Sequence, residues 1–138
     1  MKRIITQLFM FSVLVFTLTA CSKYEEGSNF TLLTKKARMV NSWKVLKITS
    51  DGVDITSANL ITEVDIRKNG GITVRGELFG IPNSSEGAWV FSPNKSQIII
   101  TGENGNISAY DIIKLKKDEL KVSITENDVF TIHEYVSK

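Results

Sequence analysis

Residues 60–79 read LITEVDIRKNGGITVRGELF. Two short runs alternate between apolar and polar side chains, with Asn69-Gly70-Gly71 between them. Thr62, Val64 and Ile66 oppose Glu63, Asp65 and Arg67; Ile72, Val74 and Leu78 then oppose Thr73, Arg75 and Glu77. A period of two is the signature of a strand with one buried and one wet face. Asn-Gly-Gly supplies the positive φ angles of a tight hairpin. This segment therefore predicts two antiparallel strands against a single interior.

The same grammar extends outward from the hairpin. Runs rich in Val, Ile, Thr and aromatic residues predict strands near 42–49, 60–68, 72–79, 86–92, 96–102, 106–115, 120–125 and 129–136. Leu120, Val122 and Ile124 alternate with Lys121, Ser123 and Thr125, while Asn104-Gly105, Ser92-Pro93-Asn94-Lys95 and Glu126-Asn127-Asp128 mark turns. Eight short strands joined mostly by tight turns form an up-and-down meander, and closing it into a barrel removes the exposed edges. Ahead of the strands, Phe30, Leu33, Ala37 and Val40 share one helical face. A short helix is expected there, capped by Asn29 or Ser28, with Lys35, Lys36 and Arg38 on its wet side. The expectation is all-β: an eight-stranded antiparallel barrel after a short N-terminal helix, one domain over 30–138.

The chain begins differently. Lys2 and Arg3 precede an apolar run from Ile4 to Leu18. That run is shorter than the ~20 apolar residues of a transmembrane helix and has the flanks of a secretory signal peptide. It ends at Leu18-Thr19-Ala20-Cys21, which holds the only cysteine and resembles the lipobox of bacterial lipoproteins. The resemblance implies cleavage after Ala20 and a diacylglycerol on the Cys21 thiol, with palmitate-type acyl chains as the membrane anchor. Residues 1–20 are then a lipoprotein signal and 21–29 an acylated tether. Acyl chains contribute about 0.8 kcal/mol per buried methylene, so two or more hold a protein to a membrane stably. A single cysteine also excludes an internal disulfide. Lys23-Tyr24-Glu25-Glu26 loosely resembles the acidic signal that sends some Gram-negative lipoproteins to the outer face of the outer membrane. The expected location is the cell envelope, at the outer membrane, with the membrane face left open.

Removing the signal changes the charge. The full chain carries 17 basic and 15 acidic residues, and Lys2 and Arg3 leave with the signal, so 15 face 15. A neutral mature chain lacks the electrostatic footprint of a nucleic-acid binder.

Several motifs in order resemble a known family. Asn41-Ser42-Trp43-Lys44 opens the first strand after a short helix, as Gly-x-Trp does in lipocalins. Asp51-Gly52 follows that strand, Glu86-Gly87-Ala88-Trp89 lies in the fourth, and Tyr110-x-Ile112-x-x-Leu115 precedes Lys117-Asp118-Glu119-Leu120. Together they resemble the small lipocalin-like domain lipoproteins of Gram-negative bacteria across nearly all of 30–138. Asn41 stands where the lipocalin glycine would be, and the last strand has no arginine to lie over the first-strand tryptophan. The resemblance implies a lipocalin-like barrel, in a family whose members carry small apolar molecules; fold alone does not transmit function.

Little in the chain points to catalysis. His133 is the only histidine and lies in a strand pattern, so no zincin motif or triad assembles around it. Metal sites gather several ligands, and none is expected; neither is a cofactor or an enzymatic activity. Asp111 interrupts its strand's alternation and is expected to face solvent or mark a bulge. Trp43, Trp89, Phe91, Tyr110 and Phe130 are the large aromatics of the barrel. An eight-stranded barrel is just wide enough to be filled by side chains or to hold one small ligand. Two functions follow. One is carriage of a small apolar ligand, lined by Val64, Ile66, Val74, Leu78, Trp89, Phe91, Tyr110 and Ile112. The other is a filled barrel that engages an envelope or extracellular protein through its loops, with the apolar Leu78–Pro82 segment as lip or contact patch. Gly76 is expected to leave room in the interior or to mark a bend.

Overall fold

The computed structural model describes residues 32–138; the signal, the lipobox with Cys21, the tether and the expected caps Ser28 and Asn29 lie outside them. A one-turn helix, α1 (Lys35–Met39), is followed by nine strands: β1 (Asn41–Ser50), β2 (Val53–Asp54), β3 (Ile61–Ile66), β4 (Gly71–Leu78), β5 (Ile81–Phe91), β6 (Gln97–Gly102), β7 (Ile107–Leu115), β8 (Glu119–Glu126) and β9 (Val129–Ser137). From β3 to β9 each strand pairs antiparallel with the next, β1 pairs β3, and β1 also pairs β9, closing an eight-stranded up-and-down barrel. The two-residue β2 pairs only with the end of β1. The closed ladder lies wholly within 41–137. The all-β barrel expected from the alternation is the observed architecture.

The central hairpin forms as its pattern dictates. Val64 faces Val74 across β3 and β4, and Ile66 faces Ile72. Gly70 takes φ +90° in the turn, and the Asn69 side chain accepts the Gly71 N–H at 3.0 Å. Thr73 lies on the outer face yet is buried, because its hydroxyl bonds Arg67 and Glu86, which pair at 2.7 Å over it.

The helix departs from expectation. Thr34 caps it, its hydroxyl accepting the Ala37 N–H at 3.1 Å. Ala37 is exposed, while Arg38, expected on the wet side, is only 8 % exposed. With a single turn there is no long apolar stripe to bury; what goes in is set by how α1 caps the barrel. Arg38 donates from Nη1 to the Leu115 carbonyl at 2.8 Å, so a helix arginine ties the cap to the end of β7.

β5 also begins earlier than expected, at Ile81, and the Leu78–Pro82 segment is a hairpin tip and not a loop. Phe79 and Gly80 take φ +52° and +79°, and Leu78 pairs with Ile81. Positive φ at both central residues gives the two-residue turn whose twist matches flanking strands. The polar run Asn83-Ser84-Ser85 then continues as strand because β4 supplies its ladder partners Gly76, Arg75 and Val74.

The barrel has two unlike ends. One, the floor, gathers α1, the turns at 67–70, 92–96 and 116–118, and Lys138; Asn41 Nδ2 bonds the Lys117 carbonyl, and the Lys138 N–H bonds that of Ser42. The other, the mouth, gathers the 51–60 connection, the Phe79-Gly80 hairpin and the turns at 103–106 and 127–128. Near the floor, Met39, Trp43 and Leu115 are fully buried.

Candidate functional site: the barrel interior

Alternation along the strands sends an apolar set inward from nearly every side of the barrel. Between these side chains lies a cavity of about 60 Å³. Trp43 lies in its wall with Ile61, Val64 and Ile66 of β3, Ile72 and Val74 of β4, and Ile98 and Ile100 of β6. Tyr110, Leu120, Val122, His133 and Tyr135 complete it from β7, β8 and β9. Pockets for drug-sized ligands run to about 300–1,000 Å³, whereas a single water needs about 10–15 Å³. The interior is thus mostly filled, with room left for a molecule of a few heavy atoms.

Polarity within the wall is concentrated in three rings. The His133 and Tyr135 rings stack at 6.2 Å, with 3.4 Å between the Tyr135 hydroxyl and His133 Nδ1; Tyr110 meets His133 edge-on at 5.9 Å. Burial lowers the His133 pKa from its ordinary 6.5, opposed by the Glu126 carboxylate, so the imidazole favours its neutral form. Burial raises both tyrosine pKa values, with Glu126 adding to the effect at Tyr110 and Tyr110 adding to it at Tyr135. The three rings offer neutral donors and acceptors, and the wall contains no Lys, Arg, Asp or Glu. Among the described residues, no cluster of three or more His, Cys, Asp or Glu is placed to hold a metal ion.

Four of the eight expected lining residues meet in this wall: Val64, Ile66, Val74 and Tyr110. The other four lie elsewhere. Leu78 sits at the mouth, 40 % exposed, because it is the last residue before the hairpin tip. Trp89 is buried toward the floor, its indole N–H donated to the Arg67 carbonyl at 2.9 Å and its ring edge-on to Phe91 at 5.4 Å. Phe91 packs against the core from that end, and Ile112 is buried core paired across to the wall residue Val122 without itself lining the cavity. Alternation placed Leu78 and Trp89 without fixing their height along the barrel. Phe130, grouped with the barrel aromatics, is exposed at the mouth. Asp111 faces outward and accepts from Gln97 Nε2 at 2.9 Å, while the bulge falls just after it, between Ile112 and Lys114.

His133 was not among the expected lining residues. Its signal was present: it shares a face with Tyr135, two residues on, and pairs across to Val122 of β8. Gly76 leaves no room for a ligand, because a Cβ there would lie 2.2 Å from the Leu60 carbonyl oxygen. The Glu77 N–H bonds that same oxygen at 2.9 Å, so the glycine permits a close backbone approach.

No family model matches the chain, and no curated protein is significantly similar to it in sequence. Solved structures are similar in shape. A complex of bovine odorant binding protein with a selenium-containing odorant superposes with a TM-score of 0.51 at 10 % identity, covering 80 % of this chain and 77 % of that one. The odorant-binding protein from bovine nasal mucosa gives 0.50 at 10 % identity, over 79 % and 77 %. Its complex with undecanal gives 0.50 at 11 %, over 83 % and 77 %. At such identities the likeness speaks to backbone architecture alone. The closed eight-stranded meander with its short leading helix has the lipocalin fold.

Proposed function

We propose that this chain is a lipid-anchored lipoprotein of the bacterial cell envelope, held at the outer membrane through Cys21, whose barrel binds a small and mainly apolar molecule. The observation that carries the binding half is the apolar cavity with its neutral polar edge of Tyr110, His133 and Tyr135. Such a site favours a compact apolar body with one hydrogen-bonding group and disfavours an ionised head, since no charge in the wall would compensate it. The bovine protein of the same fold has been solved with undecanal and with an odorant, which makes apolar cargo a natural reading of the shape. The anchoring half rests on the residues Leu18-Thr19-Ala20-Cys21.

The test of binding uses the chain from Ser22, which contains the entire closed ladder. Trp43 lies in the cavity wall, so its fluorescence reports occupancy. A panel of short aldehydes, alcohols and small aromatic compounds should give a saturable response, and Val74→Phe should abolish it by filling the space. Absence of any saturable response would reject the carrier. Anchoring is tested by labelling cells with a fatty acid: the wild type takes the label and Cys21→Ala does not. Equal labelling of both would reject the anchor.

A second reading, a protein-interaction module, is favoured by one observation at the mouth. Phe79 is 95 % exposed and held at φ +52°, a conformation a bulky residue adopts only at a cost. Leu78, Ile81, Ile107 and Phe130 are exposed at the same end. Exposed apolar side chains gathered at one end of a barrel are a candidate contact site. Cross-linking from position 79 in intact cells to one recurrent envelope or extracellular protein, in a barrel that binds nothing from the panel, is the outcome this reading requires.

A further inference from the structure

The two ends of the barrel carry opposite charge. The mouth segments 51–60, 79–80, 103–106 and 127–128 contain Asp51, Asp54, Glu103 and Asp128 and no lysine or arginine. The floor is the reverse. Lys36 on α1, Arg67 and Lys68 in one turn, Lys116 and Lys117 in another and Lys138 at its edge share that end, where the connecting turns contribute Asp118 as their acid. Lys36, Arg67, Lys68, Lys117 and Lys138 are exposed. Some have partners: Arg67 pairs with Glu86, Lys116 with Glu119, Lys138 with Glu63, and Lys36 lies 6.0 Å from the Trp89 ring centroid. At the mouth, Asp54 pairs with Lys47 of β1 at 3.8 Å, and the excess charge there is negative while that of the floor is positive.

We propose that the floor is a docking surface for a bilayer rich in anionic headgroups, and that it holds the barrel with its mouth turned away from the membrane. Two observations select this occupant. The first is complementarity: clustered lysines and arginines are drawn to an anionic lipid surface, and the acidic mouth is repelled by it. The second is where the chain enters. Residues 32–34 lead into α1 on the floor, so a tether from Cys21 joins the barrel at its cationic end. Even fully extended, the residues from Cys21 to Thr34 span at most about 45 Å. A tether that keeps the surface close raises its effective concentration at the bilayer and adds to this attraction. Orientation rests on the lipid-anchor reading; the charge attraction does not, and the two are tested separately.

The experiment is cosedimentation of the unacylated chain from Ser22 with vesicles of phosphatidylcholine alone or mixed with phosphatidylglycerol. Binding is expected to the mixed vesicles and not to phosphatidylcholine, and it should weaken sharply as ionic strength rises to about 0.15 M, where the screening length is about 8 Å. Lys36→Glu, Lys68→Glu and Lys117→Glu together should weaken it by at least about tenfold. The milder triple change to Gln, with circular dichroism on both, serves if the reversal unfolds the barrel. Asp51→Asn, Glu103→Gln and Asp128→Asn at the mouth should not weaken it. Equal binding to both vesicle types, retention by the folded floor variants, or equal loss in the mouth variant would overturn the proposal. So would equally tight binding to duplex DNA, which would make the floor a general polyanion surface. For the acylated protein in mixed vesicles, a dye at Asn69 should transfer energy to headgroup-labelled lipid more efficiently than one at Asn104. If vesicle binding holds and acylation fails, the surface stands without the anchor.

Discussion

Trp43 donates its indole N–H to the carbonyl of Met39 at 3.0 Å, and both side chains are completely buried. The bond ties α1 to the first residues of β1 where the floor closes. Trp43→Ala removes a large buried ring and leaves the Met39 carbonyl without this donor, so a loss of about 3–5 kcal/mol is expected. Trp43→Phe keeps most of the volume and should lose less. Urea melts of the chain from Ser22 measure both; a loss under about 1 kcal/mol for Trp43→Ala would contradict the burial seen here.

At Gly76 the backbone of Leu60 leaves no space for a side chain. Gly76→Ala should destabilise the barrel by about 1–3 kcal/mol through displacement of the segment that leads into β3. Gly76→Leu should do so more severely. Because the effect is on the fold, it should appear in the urea midpoint with no ligand present. A Gly76→Leu protein of wild-type stability would show that the Leu60 carbonyl moves aside freely.

His133 links stability to pH. Burial holds its folded pKa below 6.5, with Glu126 opposing, the Tyr135 hydroxyl 3.4 Å from Nδ1 and the Tyr110 ring edge-on to the imidazole. Below pH 6.5 the unfolded chain therefore binds a proton that the folded chain resists, and stability falls as pH drops from 6.5 toward the folded pKa. Above 6.5 both states are neutral at this site and the contribution is complete. His133→Gln should flatten the loss between pH 6.5 and about 5, above the range where ordinary carboxylates titrate. Urea midpoints of the two proteins at several pH values decide it, and parallel curves would exclude His133 as the source.

Phe79 occupies a turn position better suited to asparagine. Phe79→Asn keeps positive φ at a lower conformational cost and removes an exposed ring, so the barrel should gain about 1 kcal/mol. Thermal melts test this, and a loss of stability would mean that the ring packs against its neighbours in solution. If the mouth is a contact surface, the same variant should lose its partner while becoming more stable.

The strand content was legible because alternation is a local property. Val64, Ile66, Ile72 and Val74 announce their common face within a dozen residues, and Gly70 announces its turn. Once eight such strands follow one another through short turns, few topologies other than a closed meander leave no edge exposed. The expected functional residues fared differently. Face is fixed by a period of two, but height along a barrel depends on strand tilt, bulges and register, which neighbours decide. Hence Tyr110 reaches the cavity while Trp89 packs toward the floor, and Leu78 stops at the mouth.

The chain's own residues, read in order, determine an all-β meander closed by short turns. Tertiary structure alone decides the rest. The burial of Arg38 depends on Leu115, far along the chain, offering its carbonyl at 2.8 Å. The fate of Gly76 depends on Leu60, and the residual 60 Å³ depends on how thirteen side chains from seven strands fill one interior. The separation of acids to the mouth and lysines to the floor arises the same way. Charges scattered along the sequence are sorted between two ends only when an up-and-down ladder brings alternate turns together.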